Sequence, residues 1–101
     1  MIKVEVYLPE EALKGLIEAL HEAGFLRVGH YDHVYVTQRV TGHWKSLEGA
    51  NPHLGEVGKL SEEEECLLSF SAEPMDAGKL RALITRYHPY EEPVIHMIPL
   101  I

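Results

Sequence analysis

Cysteine is almost missing from this chain of 101 residues, and because Cys66 is the single one, no disulfide can form within the chain. Long apolar runs are missing too, and the first residues alternate instead of forming a basic segment followed by an unbroken apolar one. This pattern argues against a signal peptide or a membrane span and predicts a cytoplasmic location. Basic residues are scarce, with nine Lys and Arg against sixteen Asp and Glu. The formal net charge of -7 argues against nucleic acid or anionic membranes as partners and favours cations or basic partners.

Repeats and low-complexity tracts are also lacking, and the chain is too short for two cores. We therefore expect one domain over residues 1–101. A hydrophobic content of 46% with 25% charged residues is typical of an ordinary globular protein, which argues against disorder.

Two kinds of hydrophobic periodicity divide the chain into strands and helices. Alternation of period two, as in Ile2, Val4, Val6 and Leu8, predicts strands with one buried face. Apolar stripes at helical spacing predict two helices. The predicted elements are a strand over 2–8, a helix from Pro9 to Gly24, a strand from Tyr31 to Val40, a strand from Glu64 to Glu73, a helix from Asp76 to Tyr87 and a strand from Pro93 to Leu100.

This β-α-β-β-α-β order with short connections predicts an α+β fold of the ferredoxin-like split βαβ type, an antiparallel sheet with both helices on one face. Thr41 and Gly42 are expected to form a turn or bulge after the second strand. The acidic run Glu62 to Glu65 is expected to be a solvated edge. Cys66 alternates with apolar Leu68 and Phe70, so we expect a buried small residue and not a nucleophile.

The stretch Leu47 to Gly58 is a long loop with three glycines and one proline in twelve residues. Its glycines allow positive φ, and Pro52 fixes its own φ, so the loop is expected to hold one shape. A long loop of this kind is often functional. Its polar side chains, Glu48, Asn51, His53 and Glu56, are therefore candidate site residues.

Three segments resemble a known family in one order: GHYDHV at 29–34, EGANPHLGEVGKL at 48–60 and HPYEEP at 88–93. Together they resemble the PII-like domain inserted in the Nif-three-like (YqfO) family, whereas HPYE and a proline alone would resemble only the wider CutA group. The chain departs from the family pattern at Val34, Ile95 and His96. Because the flanking halves that hold the family's dinuclear metal site are absent, the chain resembles a free-standing insert, and the family's hydrolase activity is not implied.

The resemblance implies a PII-like or CutA-like module that forms trimers and has a sensing role. The residues that match the family motifs and carry polar groups are our candidate ligand-binding set: Tyr31, Asp32, Glu48, Asn51, Glu56, His88 and Glu91. The HPYEEP segment also has a structural interpretation, in which its prolines end a helix and open a strand while its acids are solvated.

Seven histidines beside many carboxylates allow a divalent metal ion as a cofactor, and no other cofactor is indicated. His33 and His53 are the candidate metal ligands, His33 with His43 or His53 with Glu56, if the loop folds over the second strand. His30 and His33 would face opposite ways on a strand. Surface or hydrogen-bonded histidines are the alternative interpretation.

Three functions remain. The sequence favours a metal-ion or small-molecule sensing module first, a plain assembly module second and an enzyme third. The enzyme is last because no paired nucleophile and base and no phosphate-binding motif is recognisable. A homo-oligomer, and a trimer by the resemblance, is expected because both faces of the sheet look apolar. Tyr31, His33 and Tyr35 would alternate with valines in the second strand, and Ile95 and Met97 would alternate with Ile98 in the fourth.

Overall fold

The computed structural model describes all residues from 1 to 101 and contains one sheet and two helices. The strands are β1 (Ile2–Leu8), β2 (Val36–Lys45), β3 (Leu60–Ala72) and β4 (Ile95–Pro99). The helices are α1 (Leu13–Glu22) and α2 (Ala77–Tyr87), each preceded by a one-turn 3₁₀ helix, Glu10–Ala12 and Pro74–Asp76. No helix has both the length and the apolar character needed to cross a membrane.

The sheet is antiparallel throughout, with strand order β2-β3-β1-β4. This is the predicted ferredoxin-like split βαβ arrangement, which confirms the expected fold. β1 lies in the centre because its alternation gives it a fully apolar face: Val4, Val6 and Leu8 are completely buried. That face meets Leu68 and Phe70 of β3 and the apolar stripes of both helices.

The helix stripes complete the core as predicted, with one exception. Leu16, Ile17 and Leu20 of α1 and Leu80 and Ile84 of α2 are buried. Tyr87, the last residue of the second predicted helix, is instead 48% exposed. Cys66 is buried in this core and unpaired, as expected, and burial raises the pKa of its thiol.

The outer half of the β2–β3 hairpin extends past the end of β1. Residues 40–45 pair only with residues 60–65, whereas β1 pairs with residues 66–72. We call this two-stranded segment the ribbon. It gives the molecule its elongated shape, 47 × 26 × 23 Å, and its faces are not covered by either helix.

The second strand begins later than predicted, at Val36 instead of Tyr31. Leu26 and His33 both adopt left-handed backbone conformations, with φ of 68° and 54°, and interrupt any extended run. Tyr31, His33 and Tyr35 therefore lie on a loop before β2, and the predicted aromatic face of this strand is wrong. The polar and apolar residues of 31–35 alternate as they would in a strand. The backbone does not pair with a strand here, and Val28 and Tyr31 instead form two mutual backbone hydrogen bonds at the start of this loop.

Thr41 and Gly42 form no turn, because β2 runs through them and Gly42 pairs with Glu63. The acidic run is also not a solvated edge throughout: Glu65 is buried against the backbone of Gly42, where a Cβ would collide with its carboxylate. An isolated glycine inside a strand marks either a bulge or a close approach of another group to the backbone, and Gly42 is the second case.

The sheet face opposite the helices, which we call the open face, is less apolar than predicted. Ile95 and Met97 point into the core, while the open face carries Lys3, Glu5, Gln38 and His96 beside exposed Val36 and Ile98. The expectation of two apolar sheet faces is therefore wrong for β4 and only partly correct for β2.

Candidate functional site

A cavity of about 990 Å³ lies on the open face beside the ribbon. Its floor is formed by Tyr7 of β1 and Glu65 of β3. One wall is the ribbon with the loop that follows it, residues 46–59, which we call the central loop, and the other wall is the turn between α2 and β4, residues 88–94. Two of the three motifs singled out in the sequence therefore meet at one place.

The central loop has the defined shape that its glycines predict. Gly49, Gly55 and Gly58 all have positive φ, between 83° and 96°. The Gly58 amide donates to the Ser46 carbonyl at 2.7 Å and closes the base of the loop. The loop is therefore a compact structure with its ends joined, which is frequent at functional sites.

One hydrogen bond joins the two walls of the cavity. The backbone N–H of Asn51 donates to the Glu91 carboxylate at 3.0 Å, across forty residues of sequence. Glu48, His53, Glu91 and Glu92 line the cavity around this link. The Asn51 side chain makes no hydrogen bond, so this predicted residue contributes here through its backbone.

A chain of hydrogen bonds under the turn orients Tyr90. His88 is buried, and because its Nδ1 accepts from the Tyr90 amide at 3.1 Å, its Nε2–H is the donor to the Tyr7 carbonyl at 2.6 Å. The Tyr90 hydroxyl donates to Glu65 at 3.0 Å. Burial lowers the pKa of His88, and burial followed by the Glu65 carboxylate raises the pKa of Tyr90 far above its usual value. His88 is thus a neutral positioning residue beneath the cavity.

Acidic and aromatic side chains dominate the surroundings of the cavity. Glu48, Glu91 and Glu92 line it with Glu65 against a single lysine, Lys45. Trp44, Tyr7 and Tyr90 add aromatic surface, with Trp44 and Tyr90 ring centroids 5.9 Å apart. Carboxylates and aromatic faces together attract cations and repel anions.

The third motif lies elsewhere, at the end of α1. The His33 Nδ1–H donates to Asp32 at 2.9 Å, and the His33 ring stacks on His21 with centroids 4.0 Å apart. The hydrogen bond from His33 lowers the pKa of the exposed Asp32 carboxyl. His21, in the last turn of α1, is half-buried under this contact.

The predicted site residues therefore fall into three groups. Glu48, Asn51, His53 and Glu91 gather at the cavity with His88 below them. Tyr31, Asp32 and His33 lie on the loop before β2. Glu56 belongs neither to the cavity nor to the loop before β2, and it forms an exposed ion pair with Lys59. The two predicted metal pairings do not form: His43 faces Glu62, and the His53 ring lies beside the Tyr90 ring, with centroids 6.0 Å apart.

Sequence reasoning missed Trp44, Glu65 and Tyr90 as cavity residues and His21 as a neighbour of His33. Glu65 is one of four consecutive glutamates, so its composition did not distinguish it. Its position two residues from Glu63 and from Leu67 places all three on the open face of the sheet. Tyr90 is central to the HPYEEP motif, and that position was the one available signal.

The chain was compared with known proteins, and no family model matches it. A GTP cyclohydrolase 1 type 2 homolog from Bacillus subtilis is 33% identical over 99 residues, which are 97% of this chain and 26% of that protein. A Bacillus cereus protein related to NIF3 has a segment with TM-score 0.82 and 27% identity, covering 98% of this chain and 25% of that one. The chain therefore spans about a quarter of the length of these relatives.

The fold also occurs in smaller proteins. CutA from Pyrococcus horikoshii superposes with TM-score 0.74 and 19% identity, covering 99% of this chain and 84% of that one. Identity this low shows the fold alone. Over nearly its whole length, the chain is thus similar to one CutA-like segment of the Nif-three-like (YqfO) proteins, which confirms the resemblance predicted from its three motifs.

Proposed function

We propose that this chain is one PII-like domain that acts in the cytoplasm as a sensing module and takes a small cationic ligand into the cavity. The observation that carries the proposal is the acidic, aromatic lining at the place where the two motifs meet. An organic cation would contact the carboxylates of Glu48 and Glu91 and the faces of Trp44 and Tyr90. A metal ion held with His53 is the second candidate ligand.

The hydrogen bond between Asn51 and Glu91, which joins the two walls of the cavity, would couple ligand binding to a change in the central loop. Asn51 and Glu91 hold the central loop to the turn through one exposed hydrogen bond. A cation bound to Glu91 competes for the same carboxylate oxygen, so occupancy would release or reorient the loop. A ligand shifts a conformation only through such a difference in affinity between two states.

Titration calorimetry with a polyamine, a divalent metal series and ATP tests the cavity. We expect the polyamine to bind and ATP not to bind, because the lining is acidic. Glu91→Gln retains an oxygen that accepts from Asn51 but removes the charge, and it should weaken binding about tenfold. Glu18→Gln, on the outer face of α1, is the matched charge control. No binding by any compound would favour the plain assembly module, and tight ATP binding would contradict the cationic class.

We also propose that the chain forms a homo-oligomer through its open face, with the trimer that the CutA and PII resemblance implies. Val36 and Ile98 are exposed on this face, and β2 is an unpaired edge strand of ten residues. Covering several hundred Å² per subunit stabilises association by roughly 25 cal/mol per Å². Light scattering at micromolar concentration is the test: a monomer would contradict the proposal, and a dimer would reject the trimer.

A further inference from the structure

The contact between His21 and the His33 loop is the one place where three side chains with metal-binding atoms converge. One nitrogen from each imidazole and one carboxylate oxygen of Asp32 lie within 4.8 Å of one another. The cluster is separate from the cavity, since none of its residues lines that space.

Each ligand reaches the cluster from a segment whose backbone is tied to the rest of the fold. His21 is in the last turn of α1, and His33 follows Asp32 on a loop anchored by buried Leu26. The Val34 amide donates to the Leu26 carbonyl at 2.8 Å, which closes the loop around these residues. The positive φ of His33, 54°, brings its ring over His21. A left-handed backbone conformation is strained for histidine, and the surrounding contacts are what maintain it.

We propose that His21, Asp32 and His33 bind one divalent transition-metal ion of the zinc, nickel or copper class. Two imidazoles and a carboxylate are the donor set that these ions prefer, whereas Mg²⁺ and Ca²⁺ prefer oxygen ligands alone. The negative end of the α1 dipole, next to His21, also favours a cation there.

The distances require only small side-chain rotations. At metal–ligand bonds of about 2.1 Å, tetrahedral ligands lie about 3.4 Å apart, so atoms that lie within 4.8 Å of one another need to approach by at most about 1.4 Å. Asp32 and His33 are exposed, and rotation about their side-chain bonds supplies this movement. Because an imidazole nitrogen binds a metal in the plane of its ring, the two stacked rings must also rotate out of their stack before both nitrogens point at one ion. Three protein ligands leave a fourth position for water, as in open sites.

Calorimetry with Zn²⁺ on the untagged chain, freed of metal beforehand, tests the proposal. We expect one ion per chain, with Mg²⁺ binding far more weakly. His21→Ala and His33→Gly should each lower the Zn²⁺ affinity at least tenfold. Asp32→Asn should lower it by about 10–100-fold, the usual effect of losing a carboxylate that binds or orients a metal ligand. His30→Ala, three residues from His33 and outside the cluster, is the matched control and should bind like the wild type.

His33→Gly also separates a metal site from a merely structural contact. Glycine adopts φ of 54° without strain, so this variant should melt no earlier than the wild type while losing zinc affinity. Visible absorption bands of bound Co²⁺ should disappear with it. Unchanged affinity in His21→Ala and His33→Gly would overturn the proposal, as would loss of zinc binding in His53→Ala, which places the ion in the cavity. Glu91→Gln should leave zinc binding intact, so the two sites are tested independently.

Discussion

Gly42 shows how one missing side chain shapes the cavity. Its backbone lies against the Glu65 carboxylate, so Gly42→Ala must displace that side chain and break its hydrogen bond with Tyr90. We expect the free energy of unfolding to fall by about 1–3 kcal/mol, as for overpacking with the loss of a part-buried hydrogen bond.

Gly15→Ala is the control for this change. Gly15 is exposed within α1 and a Cβ there meets nothing within 4 Å, so alanine should stabilise by about 0.5–1 kcal/mol. Urea unfolding of both variants measures the two effects. Equal effects would mean that Glu65 moves without cost and is not fixed by Tyr90.

His88 predicts how stability depends on pH. Burial lowers the pKa of His88 in the folded state below the value of 6.5 that it has when exposed. Below pH 6.5 the unfolded chain binds a proton that the folded chain does not bind, so stability is complete above this pH and decreases as the pH falls. We expect unfolding free energies to decrease between pH 7.5 and 5.5. His88→Gln should be less stable at pH 7.5 but flatter across this range; an unchanged slope would contradict the assignment.

At the scale of elements, the central loop is sensitive to substitution of its glycines. Gly55 has φ of 83° and its Cβ would meet the Ser61 hydroxyl. Gly55→Val should therefore destabilise by about 2–4 kcal/mol through strain and contact together. His53→Ala, an exposed change two residues away, should stay within about 0.5 kcal/mol. Thermal melts in the reverse order would show a flexible loop and a structural histidine.

The elements also show what the sequence can predict and where it stops. Strand β1 and both helices were predicted because their buried faces repeat with the period of the backbone. The start of β2 was misplaced because local alternation does not reveal that Leu26 and His33 turn left-handed. The positive φ of Gly49, Gly55 and Gly58 was predicted, since glycine chemistry is local.

The site was harder to predict than the fold because it depends on long-range contacts. Asn51 meets Glu91 across forty residues, and His21 meets His33 only because the loop folds back on α1. The motifs therefore identified most of the residues that gather, but not how they divide between the cavity and the His33 loop.

For the whole molecule, the length of the relatives limits what activity to expect. The chain corresponds to about a quarter of proteins named GTP cyclohydrolase 1 type 2 homolog, and we propose that it has no hydrolase activity by itself. GTP and phosphodiester substrates should remain intact after incubation with Mn²⁺ or Zn²⁺, as followed by chromatography. Turnover that co-purifies with the chain and disappears in Glu91→Gln would contradict this.

The ribbon has a further consequence for amide hydrogen exchange. The backbones of its two strands hydrogen-bond only to each other, so they can separate without opening the β1 core, and their amide protons should exchange by local opening at a lower free-energy cost. Because the same strands form one wall of the cavity, a bound ligand should slow exchange in both strands together. The amide of Leu68, buried in the central sheet, should instead report global unfolding.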